Sequence, residues 1–233
     1  MGKRILLVEG TDDQHVMWNL FDVRKVPERF KVLMPNEDYE SAHKDDYAPE
    51  QKAAEGGGVE ALLMAVPTRL KEADLECLAV VLDADDKGPA ARWGAIRKRL
   101  VRAGYQSIPE DYCGQGAVFE VSLRPQTPRS VRFGAWVMPD NHSPGMLEDF
   151  VAQMIRQQDS MLPRVDQFLT SIPRDERRFS EAHWSKARLR TWLAVSELPG
   201  RPMGQAIKAD EYIDARHPSV QPFLDWIQKA LVD

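Results

Sequence analysis

The chain has 233 residues, 43% hydrophobic and 29% charged, with a formal net charge of -5, enough for one generous core or two small domains. An acidic balance gives no overall basic field, so any contact with nucleic acid rests on local patches. Cys77 and Cys113 are the only cysteines, which excludes a disulfide framework and a Cys-based zinc site. No apolar stretch approaches the roughly eighteen residues of a membrane span, and Met1-Gly2-Lys3-Arg4 leads into a run too short for a signal segment. The expectation is a cytoplasmic protein without membrane contact.

In chain order, Ile5-Leu6-Leu7-Val8 is a short apolar run bounded by polar turn residues, the pattern of a strand buried on both faces. Thr11-Asp12-Asp13-Gln14 reads as a capping box opening a helix whose inward face is Val16, Met17, Leu20 and Phe21. Phe30 to Met34 suggests a second strand, ending at Pro35. The polar stretch from Asn36 to Gly58 reads as a long surface loop. Val59, Leu62, Leu63, Val66 and Leu70 then have helical spacing, and Ala79-Val80-Val81-Leu82 is another buried strand. Pro89 is placed for the first turn of a helix with Trp93, Ile96, Leu100 and Val101 inward.

Ala117 to Leu123 and Val131 to Met138 are expected strands, separated by a connection through Pro125 and Pro128. Ser143-Pro144 would cap a helix with Leu147, Phe150, Val151, Met154 and Ile155 as its stripe. From about residue 160 onward the pattern is helical. The expected organisation is an α/β domain over residues 1–158, with a mainly parallel sheet flanked by helices, and a helical extension over 159–233 packed on it.

Both buried runs end in acids: Glu9-Gly10-Thr11-Asp12-Asp13 after the first, Asp83-Ala84-Asp85-Asp86 after the second. Parallel strands deliver their C-terminal ends to one edge, where open α/β sheets place ligands, so the two clusters are expected to share a site. Clustered carboxylates without Cys or paired His favour a hard cation, Mg2+ or Mn2+. If the strand continues, Asp83 and Asp85 point the same way and Asp86 the other. Asp is also common where strands turn. Glu9 follows a buried run directly and has no comparable local explanation.

Helical geometry sorts the remaining acids. Asp13 falls within the arc of Val16, Met17, Leu20 and Phe21, whereas Asp12 faces water. Glu148 lies at the edge of the apolar arc of its helix and Asp149 on the opposite side. Glu148 is therefore the ligand candidate, although acids in a first turn also stabilise helices through the macrodipole.

Leu7-Val8-Glu9-Gly10, Asp13 four residues beyond the Glu, and Leu82-Asp83-Ala84-Asp85 after an intervening helix together resemble the Toprim domain. Topoisomerases, primases, small recombination proteins and the overcoming-lysogenization-defect (OLD) nucleases share that domain. The resemblance implies a Rossmann-like fold with metal bound by Glu9, Asp83 and Asp85, joined by Asp13. Gly145-Met146-Leu147-Glu148 is similar to the later glycine and glutamate of OLD-like proteins, and Lys186 to their downstream lysine. The similarity spans about residues 3 to 195 and is strongest before residue 90. It implies a divalent-metal-dependent nuclease acting on DNA or RNA, with Glu9, Asp83, Asp85 and Lys186 catalytic and Glu9, Asp13, Asp83, Asp85 and Glu148 holding one or two Mg2+ or Mn2+ ions.

OLD nucleases usually carry an ATPase domain, and no G-x-x-x-x-G-K-S/T run occurs here, so an ATPase or other protein partner is a second expectation. A regulatory subunit working through that partner, or phosphoryl transfer on a small phosphorylated molecule, are the alternatives. Gly56-Gly57-Gly58 at a helix start suits either a phosphate cradle or a flexible lead-in. Arg97, Lys98, Arg99 and Arg102 suit either a phosphate-tracking cluster or a solvated helix face. His142 suits proton transfer or a surface loop. The histidines have no zinc-hydrolase spacing.

Overall fold

The computed structural model describes residues 2–40, 57–122, 129–209 and 212–233. Among these residues, five strands form one sheet in the order β2-β1-β3-β5-β4: β1 (Lys3–Leu7), β2 (Lys31–Leu33), β3 (Leu75–Asp83), β4 (Ala117–Val121) and β5 (Val131–Met138). All neighbours pair in parallel except β4, which runs antiparallel to β5. This is the expected α/β architecture, a mainly parallel sheet flanked by helices.

The apolar runs form the centre because helices cover both faces. One face sets Leu6, Val8, Ala79, Val81 and Trp136 against Val16, Met17 and Leu20 of α1 (Thr11–Arg24) and against the C-terminal helices. The other sets Ile5, Leu7, Leu78, Val80 and Phe133 against Leu62 and Val66 of α2 (Val59–Arg69) and Trp93, Ile96 and Leu100 of α3 (Pro89–Arg102). Strands buried on both faces need near-continuous apolar sequence, which β3 and β5 have.

Among the described residues, five α-helices follow the last strand: α4 (Leu147–Ala152), α5 (Met161–Ser171), α6 (Trp184–Ala194), α7 (Met203–Ala209) and α8 (Gln221–Ile227), the last running into a π-helical turn over Gln228–Val232. This extension completes a layer of the sheet. Trp226 is buried against Trp136, its ring centroids 5.7 Å apart, and its Nε1–H donates to the Ala117 carbonyl at 3.1 Å. Gly134 makes room for that contact, since a Cβ there would lie 3.0 Å from Ala230 Cβ. Arg4 Nη1 donates to the Leu231 and Val232 carbonyls at 2.9 Å, fastening the C-terminal turn to β1. One apolar cluster runs through residues of both 1–158 and 159–233.

Several local expectations are corrected. Thr11 is the first residue of α1 rather than its cap; extended Gly10 holds that position without a side-chain bond. Thr11 Oγ1 lies 3.6 Å from Met34 Sδ, and Gln14 is buried, donating to the Val32 carbonyl at 3.0 Å, so the capping-box pair serves the contact with β2 instead. Likewise α4 starts at Leu147, with extended Met146 before it; Ser143 and Pro144 lie in a preceding turn, where Asp140 Oδ1 accepts the Ser143 amide. Ile155 lies past the end of α4 and bridges to Ile213. The expected loop from Asn36 to Gly58 falls largely on residues 41–56, outside the described residues, as do Gly56, Pro125 and Pro128.

Candidate active site

The ends of β1 and β3 lie side by side because the strands pair in parallel, with Leu7 opposite Val80. Glu9, two residues past β1, turns its side chain across the gap: Oε1 accepts the Asp83 backbone N–H at 2.8 Å. Asp83 reaches the other way. Its Oδ1 accepts the Leu147 N–H at 2.9 Å, at the open first turn of α4, where helix N–H groups lack partners. Glu9 Oε2 and Asp83 Oδ2 accept no hydrogen bond from the described residues. Each carboxylate is thus tethered by one oxygen and presents the other.

Asp13 and Glu148 join them from the first turns of α1 and α4. Glu148 is only 3% exposed, and Lys186 of α6 lies with Nζ 3.7 Å from its Oε1. Burial first, then the negative charge of Glu9 and Glu148, pushes the Asp13 carboxyl up to about 8. Asp83 is pushed up to about 9 by burial, then by Asp13, Glu9 and Glu148. Burial also raises Glu9, against the pull of the Asp83 amide. Four acids act on one another across a shared, poorly solvated space.

Asp85 behaves differently. The chain does not stay extended past Asp83: Asp85 has φ 50°, the left-handed region, so the alternation that would align it with Asp83 does not apply. Its carboxylate pairs with Arg92 of α3, and its backbone exchanges hydrogen bonds with Gly145 at 2.8 and 3.0 Å. Asp85 still raises the Glu9 carboxyl through its charge. Arg92 was not a sequence candidate. It is 6% exposed, donates through Nε to the Asp83 carbonyl at 2.8 Å, and so braces the end of β3. The available signal was an arginine at helical spacing with Trp93 and Ile96, on the apolar face of α3.

The other acids fall outside the cluster. Asp86 is exposed. Asp149 Oδ2 accepts the Met146 N–H at 2.9 Å, an N-terminal capping bond, while its Oδ1 accepts from Ser185 of α6. Asp12 is half-exposed and pairs with Arg190. Gly58 donates its N–H to the Glu9 carbonyl at 2.9 Å, so that glycine supports the β1 turn. Arg97 and Arg99 pair with Glu110 and Glu60 on the solvated side of α3, and His142 is exposed.

Among the described residues, no group of three or more His, Cys, Asp or Glu is arranged to hold a metal ion. The geometry gives the reason: Glu9 and Asp83 each direct one oxygen at a backbone amide, and Asp85 is turned to Arg92. The donor chemistry nevertheless fits a hard cation. All donors are carboxylate oxygens, two of them unengaged, and the burial and, after it, the mutual repulsion that raise Asp13 and Asp83 disfavour charge that a bound cation would offset.

The arrangement defines an α/β protein with a carboxylate cluster at the C-terminal edge of a mainly parallel sheet. The chain belongs to the family described as Protein of unknown function (DUF3226), whose model matches residues 3–232, sheet and helical extension alike. No curated protein and no solved structure matches it.

Proposed function

We propose that the protein is a divalent-metal-dependent phosphodiester hydrolase, a nuclease acting on DNA or RNA through a Toprim-like site. The observation that carries this reading is the tethering of Glu9 and Asp83, each by one carboxylate oxygen to a backbone amide, beside Asp13 and buried Glu148 with Lys186 at hand. Mg2+ or Mn2+ supplies Lewis acidity toward a phosphoryl oxygen and a more acidic bound water. Glu9 and Asp83 offer their unengaged oxygens as ligands, with Asp13 and Glu148 completing the acidic set. Asp85 is the outer carboxylate, its charge offset by Arg92. Lys186, 53% exposed at the rim, sets an ammonium where negative charge grows on the transferred phosphoryl group.

None of the described helices is long and apolar enough to cross a membrane. The test is Mn2+-dependent cleavage of plasmid or oligonucleotide by the whole chain. Glu9→Gln and Asp83→Asn are expected to lower the rate by about 100-fold or more. Cleavage left intact in both variants overturns the reading.

A further inference from the structure

We infer that Arg190 is a substrate-binding residue for a phosphate flanking the reacting one, held ready by Asp12 in the free protein, so that the substrate is a strand rather than a small phosphorylated molecule. This rests on the nuclease reading above and adds a residue and a substrate form to it. The argument begins with α6, which presents Lys186 and Arg190 one turn apart, on one side of the helix and about 6 Å apart along its axis. Each meets an acid in the first turn of a different helix: Lys186 lies 3.7 Å from Glu148 of α4, and Arg190 Nη2 bonds Asp12 of α1. Asp12 adjoins Asp13 in the first turn of α1 and raises its carboxyl through its charge, so Arg190 is linked to the cluster through Asp12 on the α1 side while Lys186 meets it at Glu148 on the α4 side.

The two pairs differ in the way that matters for exchange. Glu148 is buried, whereas Asp12 and Arg190 are 43% and 44% exposed in their side chains. A pair so exposed contributes little to stability and can change partners readily. Nε and Nη1 of Arg190 have no partner among the described residues, leaving donors of its planar fork unengaged, and that fork matches phosphate oxygens. Two other arginines are committed: Arg92 is buried on Asp83 and Asp85, and Arg188 is engaged by Asp166. A small phosphorylated molecule occupying the carboxylates would leave Arg190 on Asp12; a strand running over the edge brings a second phosphate to it.

The experiment uses the full chain and a fluorescein-labelled single-stranded oligonucleotide, with affinity read by anisotropy across a salt series. Arg190→Gln is expected to weaken binding roughly tenfold and to reduce the slope of log K against log salt by about 0.7. It should raise KM for oligonucleotide cleavage more than it lowers kcat, and affect the oligonucleotide more than bis(p-nitrophenyl) phosphate. Arg190→Lys should recover part of the affinity and slope. Asp12→Asn, which releases the guanidinium without removing it, should bind at least as tightly as the wild type. An unchanged salt slope in Arg190→Gln overturns the inference, as does an equal loss in Asp12→Asn, which would make the pair a latch between α6 and α1. If the wild type cleaves and Arg190→Gln matches it throughout, the inference alone fails. If the wild type neither binds nor cleaves the oligonucleotide, the nuclease reading fails with it.

Discussion

Glu9 Oε1 accepts the Asp83 backbone N–H at 2.8 Å, joining the residue just past one buried strand to the last residue of its parallel neighbour. The bond gives Glu9 a structural duty that can be separated from any chemical one. Glu9→Gln keeps an acceptor for the amide and should change unfolding free energy by less than about 1 kcal/mol. Glu9→Ala removes the acceptor and leaves a part-buried N–H unpaired, at a cost of about 1–3 kcal/mol. Urea unfolding of the two variants separates these effects, while metal-dependent cleavage should be lost in both.

Asp13 and Asp83 predict an unusual pH response for the metal-free protein. Their carboxyls are raised to about 8 and about 9 in the folded chain, so it holds protons that the unfolded chain releases near pH 4. The contribution to stability is fully present below the unfolded value and is lost as pH rises toward the folded ones. In chelator, the wild-type Tm should therefore decline between pH 5 and 9. Asp83→Asn, which cannot ionise, should decline less, so the variant gains on the wild type as pH rises. A Tm difference independent of pH would contradict this.

Bound metal should show the complementary trend. A cation competes with protons for Asp13 and Asp83, so the Tm increase caused by a fixed Mn2+ concentration should grow from pH 6 to pH 8.5. Calorimetric titration in buffers of different ionisation enthalpy should detect proton release on binding.

Gly145 links the two halves of the site. It has φ 141°, exchanges backbone hydrogen bonds with Asp85, and would place a Cβ 2.7 Å from Asp149 Oδ2. Gly145→Ala should destabilise by about 1–3 kcal/mol, because the conformation is strained for an L side chain and the Asp149 cap must shift. Displacing that turn moves the Leu147 N–H that holds Asp83, so activity should fall more than stability explains; cleavage assays well below the variant's Tm test this.

The C-terminal extension should not be separable from the sheet. Trp226 is fully buried and hydrogen-bonded to β4, so Trp226→Ala should cost about 3–5 kcal/mol. Denaturant unfolding of the wild type should show one transition followed equally by tryptophan fluorescence and circular dichroism. Two separated transitions would divide the chain near residue 158 after all.

Much of this was legible locally. The apolar runs before Glu9 and Asp83 identify buried strands, and helical periodicity turns Asp13 and Glu148 toward the protein; Glu148 is buried and Asp13 joins the acidic cluster, whereas Asp12, expected to face water, is half-buried against Arg190. Other features were not legible for equally local reasons. Thr11 and Gln14 match a capping box, yet tertiary contact with Met34 and Val32 redirects both side chains. Period-two alternation past Asp83 assumed an extended backbone, and the left-handed turn at Asp85 ends that alternation within two residues.

The sequence by itself determined which segments are buried strands, most of the inward face of each helix, though on α3 Val101, expected inward, is exposed and Arg92 is buried, and that two of those strands end in acid, because these follow from spacings of a few residues. Only the tertiary structure decided that Glu9 would be fastened to Asp83, that Asp85 would turn to Arg92, and that α6 would bring Lys186 to Glu148 and Arg190 to Asp12. The physical reason is separation along the chain: 74 residues part Glu9 from Asp83 and 178 part Asp12 from Arg190, and no local periodicity reports which distant surfaces the packing of the sheet and its helices will bring together.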